Sequence, residues 1–280
     1  MTLYLSFRSD SVGGSAIDGE VLEGDGTRPT PSLRSVGTSE IGARVAGRNV
    51  LLGVHGFNVS REEGMRSLGR LEPHLGLGSS DVFLGVLWPG DFWLPVINYP
   101  FEGDDAMECG RRLARFCRNH LASAQSFSFF SHSLGARLVL EAVKNLGRPA
   151  RSVCLTAAAI NRDCLTGAYA DAAGNAEAIS NLASRMDWVL KVAFQIGDPI
   201  ADLLYDSHDT FQRALGHAGP PMPPPARVTP WQIPDDSGYG HGDYLPPSSP
   251  KAGAAAPDTK WPKAADFIAR AFRGEAQGWP

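Results

Sequence analysis

Short apolar runs alternate with longer amphipathic stretches along most of the chain. This alternation is typical of a parallel β-sheet whose strands are joined by crossover helices. Apolar runs predict strands at residues 3–7, 49–54, 82–87, 127–130, 153–160, 179–183 and 228–233. Helical periodicity predicts helices at residues 60–75, 105–121, 134–146 and 261–272. The pattern therefore predicts an α/β fold, and Ser60 is the expected N-cap of the first of these helices.

The small net charge of the chain limits the kinds of partner that it is expected to bind. The 280 residues include 26 basic and 30 acidic side chains, which gives a formal net charge of -4. So small an imbalance, without a long basic run, argues against nucleic acid or an anionic membrane surface as the main partner. No apolar run approaches the roughly 18 residues of a membrane span, and the N-terminus does not resemble a signal peptide. We therefore expect a cytoplasmic protein whose four cysteines are buried free thiols, and the oligomeric state is left open.

Two proline-rich stretches, residues 219–225 and 245–257, interrupt the alternation. Proline is disfavoured in helix interiors and central strands, so both stretches are expected to be loops. Strand-like sequence lies between them, which favours a single domain over residues 1–280; a domain boundary near residue 220 is the alternative. Residues 1–48 are interpreted as an N-terminal strand followed by a loop region or weak hairpin rich in Gly, Ser, Thr and Pro.

The stretch around Ser133 runs from a predicted strand directly into a predicted helix. A serine at such a junction sits on a sharp, strained turn that lifts its hydroxyl above the sheet edge, at the positive end of the helix. Strand and helix nearly touch there, so the positions two before and two after must be small, and they are Ser131 and Gly135. We predict that Ser133 is a nucleophile; the alternative is a serine that only caps a helix. His132 is expected to line the substrate pocket.

A second motif, His55-Gly56-Phe57-Asn58, follows the strong strand at residues 49–54. Acyl transfer places negative charge on the former carbonyl oxygen, and fixed backbone N–H groups stabilise that oxyanion. Gly56 would let this loop approach the reaction centre closely, so the N–H groups of Phe57 and Leu134 are the predicted oxyanion-hole donors. His55 is expected to hold the loop by hydrogen bonding. The alternative is an ordinary strand-to-helix turn that happens to contain glycine.

A serine hydroxyl needs a neutral imidazole to accept its proton. Three histidines follow Ser133, and of these His241 lies in a glycine-flanked loop just after the last predicted strand. A loop of that kind can bring its imidazole over the nucleophile, so His241 is the predicted base. His208 lies in a polar, helix-like stretch and His217 follows a Leu-Gly pair, and both are weaker candidates.

The base in turn needs a carboxylate to fix its tautomer. Asp187 follows the predicted strand at residues 179–183, where loops at the carboxyl edge of a parallel sheet converge. Asp187 is therefore the predicted acid, with Asp198 as its rival. Asp163 comes one strand too early, and Asp243 is expected to shape the loop of the base.

These motifs together resemble the α/β-hydrolase superfamily of serine hydrolases, and more narrowly a bacterial branch of hydrolases of unknown function. The resemblance is carried by His55-Gly56-Phe57-Asn58, Trp88-Pro89, Ser131 to Gly135, Ser184 to Leu190, Ala214-Leu215-Gly216 and Gly240 to Tyr244. It implies a mostly parallel, eight-stranded sheet flanked by helices, hydrolysis without a cofactor or metal, and a triad of Ser133, Asp187 and His241. The sequence departs from the family pattern in having Ser131 where glycine is usual, and in a long insertion at residues 92–106.

Aromatic side chains crowd that insertion and the residues just before it. One interpretation is an apolar wall or partial lid for an acyl chain or an aromatic ring. The other is that these side chains complete the core or a dimer contact. The predicted substrate contacts are His132, Trp88, Phe92 and Trp93.

The connection between Ile160 and Ile179 is too short for a large cap domain. An open cleft favours cleavage of small to medium acyl or aromatic carboxylic esters through an acyl-enzyme intermediate. Thioesterase, amidase or acyltransferase chemistry with the same residues stays open, as does a non-catalytic binding module on the same scaffold. No two histidines have the spacing of metal ligands, so a metal-dependent hydrolase is the weakest hypothesis and no cofactor is expected.

Overall fold

The described strands of the protein form one mostly parallel sheet, as predicted. A computed structural model describes residues 1–9, 16–28, 32–90, 99–195, 213–248, 260–275 and 278–280. The strands in it are β1 (Thr2–Ser6), β2 (Glu20–Gly24), β3 (Leu33–Val36), β4 (Asn49–Val54), β5 (Asp81–Leu87), β6 (Ser126–His132), β7 (Ser152–Thr156), β8 (Ile179–Ala183) and β9 (Val228–Gln232). Their order is β3-β2-β1-β5-β4-β6-β7-β8-β9, and β2 runs in the direction opposite to the other eight described strands.

The sheet has nine described strands, whereas the family resemblance implied eight. Two strands for which periodicity predicts no apolar run, β2 and β3, form in the segment interpreted as a loop or weak hairpin. Strand β3 lies at the sheet edge and two of its four residues are exposed. An edge strand of this kind lacks the continuous apolar run that identifies a central strand, so periodicity did not reveal it.

The helices lie where amphipathic periodicity predicts them, with shorter ones added between. They are α1 (Thr38–Val45), α2 (Arg61–Leu71), α3 (Tyr99–His120), α4 (Gly135–Lys144), α5 (Ala170–Gly174), α6 (Trp188–Gln195), α7 (Leu215–Ala218) and α8 (Trp261–Arg273). The predicted cap of α2 is present as a capping box, in which Ser60 Oγ accepts from the Glu63 N–H and the Glu63 carboxylate accepts from the Ser60 N–H. Short 3₁₀ helices lie at Glu72–Leu75 and Asp235–Ser237.

Central strands are buried on both faces, as parallel strands covered by helices are. Helices α3 and α4 pack closely. A Cβ at Gly110 of α3 would lie 2.6 Å from the Leu138 carbonyl oxygen of α4, so only a glycine leaves room for this contact. Helix α3 begins at Tyr99, before the predicted start at residue 105, so part of the predicted insertion at 92–106 belongs to it. Residues 91–98 lie outside the described residues, and the single-domain organisation stays a prediction.

The predicted strand at residues 153–160 ends early, at Thr156. Ala157 has a φ of 45°, and this left-handed residue turns the chain out of the sheet. Between β7 and β8 the chain forms turns and the five-residue helix α5. All four cysteines are free and buried. None of the helices in the described part of the chain is long and apolar enough to cross a membrane.

Parallel strands bring their carboxyl ends to one edge of the sheet. Strand β6 ends beside β4 on one side and β7 on the other, at the centre of the order. The segments that follow β4, β6, β8 and β9 therefore meet at this edge, and they contain the predicted oxyanion loop, nucleophile, acid and base in turn.

Candidate active site

Ser133 occupies a strained turn between β6 and α4. Its φ is 55°, in the left-handed region that residues other than glycine rarely adopt. The Ser133 N–H donates to the Thr156 carbonyl at 3.1 Å, and the Ser133 carbonyl accepts from the Ala159 N–H at 3.1 Å. These bonds to the chain after β7 hold the turn, and the left-handed Ala157 brings that chain back across it.

The small residues around Ser133 allow helix and strand to touch. A Cβ at Gly135 would lie 2.6 Å from the His55 carbonyl oxygen and 3.0 Å from a Val54 methyl carbon, so no larger residue fits without displacement. Ser131 is completely buried in β6. The close contact at Gly135 is therefore between α4 and the end of β4, whereas the sequence predicted it between α4 and β6.

The structure brings Ser133, His241 and Asp187 together. His241 Nε2 lies 2.8 Å from Ser133 Oγ, and His241 Nδ1 lies 2.8 Å from Asp187 Oδ2. An ionised carboxylate can only accept, so Nδ1 carries the proton and Nε2 is left to accept from the serine hydroxyl. The three side chains follow β6, β8 and β9, which are far apart in sequence but lie within four neighbouring strands of the sheet, β6-β7-β8-β9.

Asp187 is completely buried at the start of α6. One carboxylate oxygen faces His241, and the other accepts from the Leu190 N–H at 3.0 Å. The first N–H groups of a helix lack intrahelical partners, so α6 holds the carboxylate as an N-cap. Burial and two directional bonds fix its orientation toward the imidazole.

The other candidates for acid and base fall elsewhere. Asp198 and His208 lie outside the described residues. His217 lies on α7, where burial lowers its pKa, and the imidazole that reaches Ser133 is that of His241. Asp163 lies in the turn after β7, where its carbonyl accepts from the N–H groups of two following residues.

The loop that carries His241 is fixed from both ends. Asp243 Oδ2 accepts from the Gly240 N–H at 2.8 Å and from Lys260 Nζ at 3.1 Å. Ser184 Oγ donates to the Tyr239 carbonyl at 2.7 Å, which ties the loop to the segment that leads to Asp187. The expected loop-shaping contacts of Asp243 are therefore present, and those of Ser184 and Lys260 were not expected.

The predicted oxyanion loop lies directly against Ser133. A Cβ at Gly56 would lie 3.0 Å from Ser133 Cβ, so only glycine allows this approach. Phe57 follows Gly56, and Leu134 follows Ser133 as the N-cap of α4. Their roles as oxyanion-hole donors stay predictions.

His55 and Trp88 support the loop from beneath. The His55 Nδ1–H donates to the Gly56 carbonyl at 2.8 Å, while Nε2 accepts from the Trp88 N–H at 3.3 Å. Burial, the largest cause, lowers the pKa of His55 to about 3, so its imidazole is neutral. The Trp88 indole N–H donates to the His55 carbonyl at 3.0 Å. Trp88 is completely buried and supports the loop through these bonds, and its role as a substrate contact stays a prediction.

Arg8 is a loop support that sequence reasoning missed. It follows β1 and is buried, and its Nη1 donates to the Trp88 carbonyl at 2.8 Å and to the Val59 carbonyl at 3.0 Å. It thereby joins the ends of β1, β5 and the loop after β4. No local motif marks such an arginine, because its partners are carbonyl groups far away in sequence.

The sequence also predicts substrate contacts at Phe92, Trp93 and His132. Phe92 and Trp93 lie outside the described residues. His132 is half-buried, and its Nε2–H donates to the main-chain carbonyl of His241 at 2.7 Å, a contact that the sequence did not predict. Burial and the neighbouring His241 ring lower the pKa of His132 to about 3, so it is a neutral donor.

The arrangement can activate an alcohol. A neutral imidazole oriented by a buried carboxylate lies within hydrogen-bond reach of a serine hydroxyl at the N-terminus of a helix. Such a group can take the hydroxyl proton as the oxygen attacks an electrophilic carbon. No cluster of three or more metal-ligating side chains occurs among the described residues.

Comparison with known proteins adds a family match. The model of the family described as "Alpha/beta hydrolase of unknown function (DUF900)" matches residues 38–203, which is more than half of the chain. The crystal structure of esterase PE8 is similar, with 14% identity and a TM-score of 0.44 over 85% of this chain and 94% of that one. A predicted CIB-like hydrolase from Thermoplasma acidophilum is 14% identical, with a TM-score of 0.42 over 90% of this chain and 98% of that one. No similar sequence was found among curated proteins.

Proposed function

The chain belongs to the α/β-hydrolases of unknown function (DUF900), and we propose that it is a serine hydrolase that cleaves carboxylic esters through an acyl-enzyme intermediate. Ser133 is the nucleophile, His241 the general base and Asp187 the carboxylate that orients the base. The observation that carries the proposal is the continuous chain of two 2.8 Å contacts from Ser133 Oγ through His241 to Asp187. The strained backbone at Ser133 supports it, because strain of this kind concentrates at functional sites.

Acylation begins when Ser133 Oγ attacks the ester carbonyl carbon while His241 Nε2 accepts the hydroxyl proton. The carbonyl electron pair moves to oxygen, where the N–H groups of Phe57 and Leu134 stabilise the negative charge. The tetrahedral intermediate collapses as the bond to the alcohol oxygen breaks, and that oxygen takes the proton from His241. Asp187 stabilises the imidazolium that exists between these two proton transfers.

Deacylation repeats the sequence with water as the nucleophile. Water gives a proton to His241 Nε2 and attacks the acyl carbon, and the second tetrahedral intermediate expels Ser133 Oγ. The proton returns to Oγ, so the enzyme is regenerated and a carboxylic acid is released. No step requires a group beyond those of the chain and water.

The rim of the site favours an apolar acyl or aromatic substituent. Met186, Trp188 and Val189 surround the buried Asp187 in sequence, and their side chains are 40%, 63% and 54% exposed. Exposed apolar side chains that flank the proposed acid in sequence offer contact area to an apolar substrate. Small to medium acyl or aromatic esters are therefore the proposed substrates.

Labelling with a fluorophosphonate tests the nucleophile, because the reagent forms a covalent Oγ–phosphorus bond only with an activated serine. We expect the wild-type protein to be labelled at Ser133 and to hydrolyse p-nitrophenyl esters. Ser133→Ala should lower that hydrolysis by about 10⁴-fold or more. Turnover of ester, thioester and amide substrates with the same acyl group would then show which type of bond is cleaved fastest.

The matched control is Ser128→Ala, five residues earlier in β6, the strand that leads to Ser133. Ser128 is completely buried, and its hydroxyl has no hydrogen-bond partner among the described residues, so its loss should leave labelling and turnover unchanged. A wild-type protein that is neither labelled nor active on any acyl substrate would favour a non-catalytic binding module. Full activity in Ser133→Ala would remove the assignment.

A further inference from the structure

His132 joins the nucleophile turn to the loop of the proposed base. Its Nε2–H donates to the His241 carbonyl at 2.7 Å, and the centroids of the two imidazole rings are 4.9 Å apart. This bond reaches the backbone of His241, whereas the Ser133 contact reaches its side chain. The same two segments are thus joined twice, and only one of the joints involves reacting atoms.

His132 is itself held on several sides. Its backbone lies in β6 opposite Thr156 of β7. The predicted oxyanion loop packs against the ring so closely that a Cβ at Gly56 would lie 2.8 Å from His132 Nδ1. The ring of Tyr244 lies 6.0 Å away on another side. A donor fixed in this way can set the position of the carbonyl that it binds.

The loop that receives this bond needs an external anchor. Gly238, Gly240 and Gly242 surround His241, and Gly238 has a φ of 59°. Glycine gives a loop wide conformational freedom, so the His241 backbone is determined by its contacts. Displacement of a catalytic group by about 1 Å can cost roughly 10²-fold in rate.

The neutral state of the His132 imidazole is also compatible with its position beside His241. The titratable groups that face it are His241, Asp187, the buried neutral His55 and Tyr244, whose hydroxyl stays protonated because burial raises its pKa. A neutral imidazole adds no positive charge to oppose the imidazolium that forms on His241 during acylation. A permanent cation at this position would oppose it.

We propose, on the basis of the function proposed above, that His132 is a positioning residue whose Nε2–H holds the His241 backbone so that its imidazole meets Ser133 and Asp187 together. It acts through His241 and does not touch the reacting atoms. This role replaces the wall of the substrate pocket that the sequence predicted for it.

Three variants separate donation from bulk. His132→Gln keeps an N–H donor of similar reach, His132→Leu removes the donor at similar volume, and His132→Asn keeps a donor that is too short. We expect the Leu and Asn variants to lose roughly 10- to 100-fold in kcat and in the rate of fluorophosphonate labelling, with KM nearly unchanged. The Gln variant should stay within about 3-fold of the wild type. If Leu prevents folding, Asn carries the same comparison.

The matched control is His120→Leu, which removes another partly buried histidine, at the end of α3 against Phe116. It should leave the labelling rate unchanged. The second readout is the downfield proton NMR resonance of the His241 Nδ1–H bonded to Asp187, which should weaken in the Leu and Asn variants and persist in Gln. This resonance does not depend on activity, so it tests the positioning role even if the proposed ester chemistry is absent.

Three results would overturn the proposal. One is a Leu variant that is labelled at the wild-type rate with the resonance intact. Another is a Gln variant as slow as Leu, which would show that donation is not what matters. The third is a Leu variant that lowers only the fraction of active sites while the rate per site is unchanged, as expected for a purely structural residue.

Discussion

Polar groups play opposite roles at two places in the sheet. One is the site edge, where the carboxyl ends of the parallel strands meet, and the other is the outer edge, formed by the outermost strands β2 and β3. At the outer edge, Glu23 accepts from both Arg34 and Arg44 at 2.6 Å, and Glu40 joins the same network on a partly exposed surface. At the site, Asp187 is fully buried and the two supporting imidazoles, His55 and His132, are uncharged. Exposed charges gain little from pairing, whereas buried polar groups cost much when a partner is lost. The expected effects of substitution therefore fall steeply from the site to the outer edge.

The largest effect should come from Asp187→Asn. The amide can donate to His241 Nδ1, which favours the wrong tautomer and leaves Nε2 unable to accept the serine proton, so we expect kcat to fall about 10⁴-fold. The rate of ester hydrolysis measures this loss, whereas the free energy of unfolding in urea should change much less. Asp163→Asn, which alters the turn at the end of the neighbouring strand, should retain activity. Equal losses in both variants would contradict the assignment of the acid.

Gly216→Ala should have the next largest effect, on stability. A Cβ at Gly216 would lie 2.1 Å from the Ala158 nitrogen and 2.2 Å from the Ala157 carbonyl carbon, and backbone atoms cannot move aside cheaply. We expect a loss of about 3 kcal/mol in the free energy of unfolding, measured in urea. Gly174→Ala is the control, because a Cβ there meets nothing within 4 Å. Equal stability of the two variants would show that the sheet edge yields more easily than this packing implies.

Mild acid should destabilise the folded protein through His55 and His132, whose imidazoles are neutral in it. The folded pKa values of His55 and His132 are about 3, below the unfolded value of about 6.5, so the unfolded chain binds more protons in this window. Stability is therefore lost as the pH falls below about 6.5. Near pH 5 each histidine should contribute a slope of about 1.4 kcal/mol per pH unit.

His132→Gln sharpens this expectation, because it removes one titrating group and keeps the donor. The free energy of unfolding should be measured in urea at several pH values from about 6 to about 5. Its slope against pH should be lower in the variant by about the contribution of one histidine. An unchanged slope would mean that His132 does not stay neutral in the folded protein.

The smallest effect should come from Glu23→Gln at the outer edge. Hydrogen bonds from Arg44 and Arg34 lower the pKa of Glu23 to about 2, but its partners are partly exposed and screened by solvent. We expect a loss of about 1 kcal/mol or less in the free energy of unfolding at low salt, and less at high salt. Ester hydrolysis should be unchanged. A larger cost than that of Gly216→Ala would reverse the comparison between the two edges.

The same contrast explains what the sequence could predict. The central strands β4, β5 and β6 are buried on both faces, so their apolar runs were recognisable, and Ser60 was correctly predicted as a helix cap. The outer strands β2 and β3 carry charged residues and each has exposed positions, and their pairing depends on each other and on β1. Their existence is set by tertiary contact, which local periodicity does not record.

At the site, sequence reasoning selected residues with strong local signals. Ser133 stands out because small residues bracket a strand-helix junction, and the predicted residues Asp187 and His241 do lie beside it. Arg8 and the His132 bond were missed because each depends on a backbone carbonyl far away in sequence. The early end of β7 was missed because an alanine with positive φ has no compositional signature.

The strand that delivers His241 stands last in the sheet, and this has a consequence for inactivation by heat. Strand β9 pairs with β8 alone among the described strands, it contains Pro230, and four of its five residues are at least partly exposed. Edge elements with few buried contacts open more readily than central ones. We expect fraying of this strand to withdraw the imidazole while the serine turn in the middle of the sheet stays folded. Loss of turnover on warming would then precede the cooperative melting of the sheet, and brief heating would be reversible.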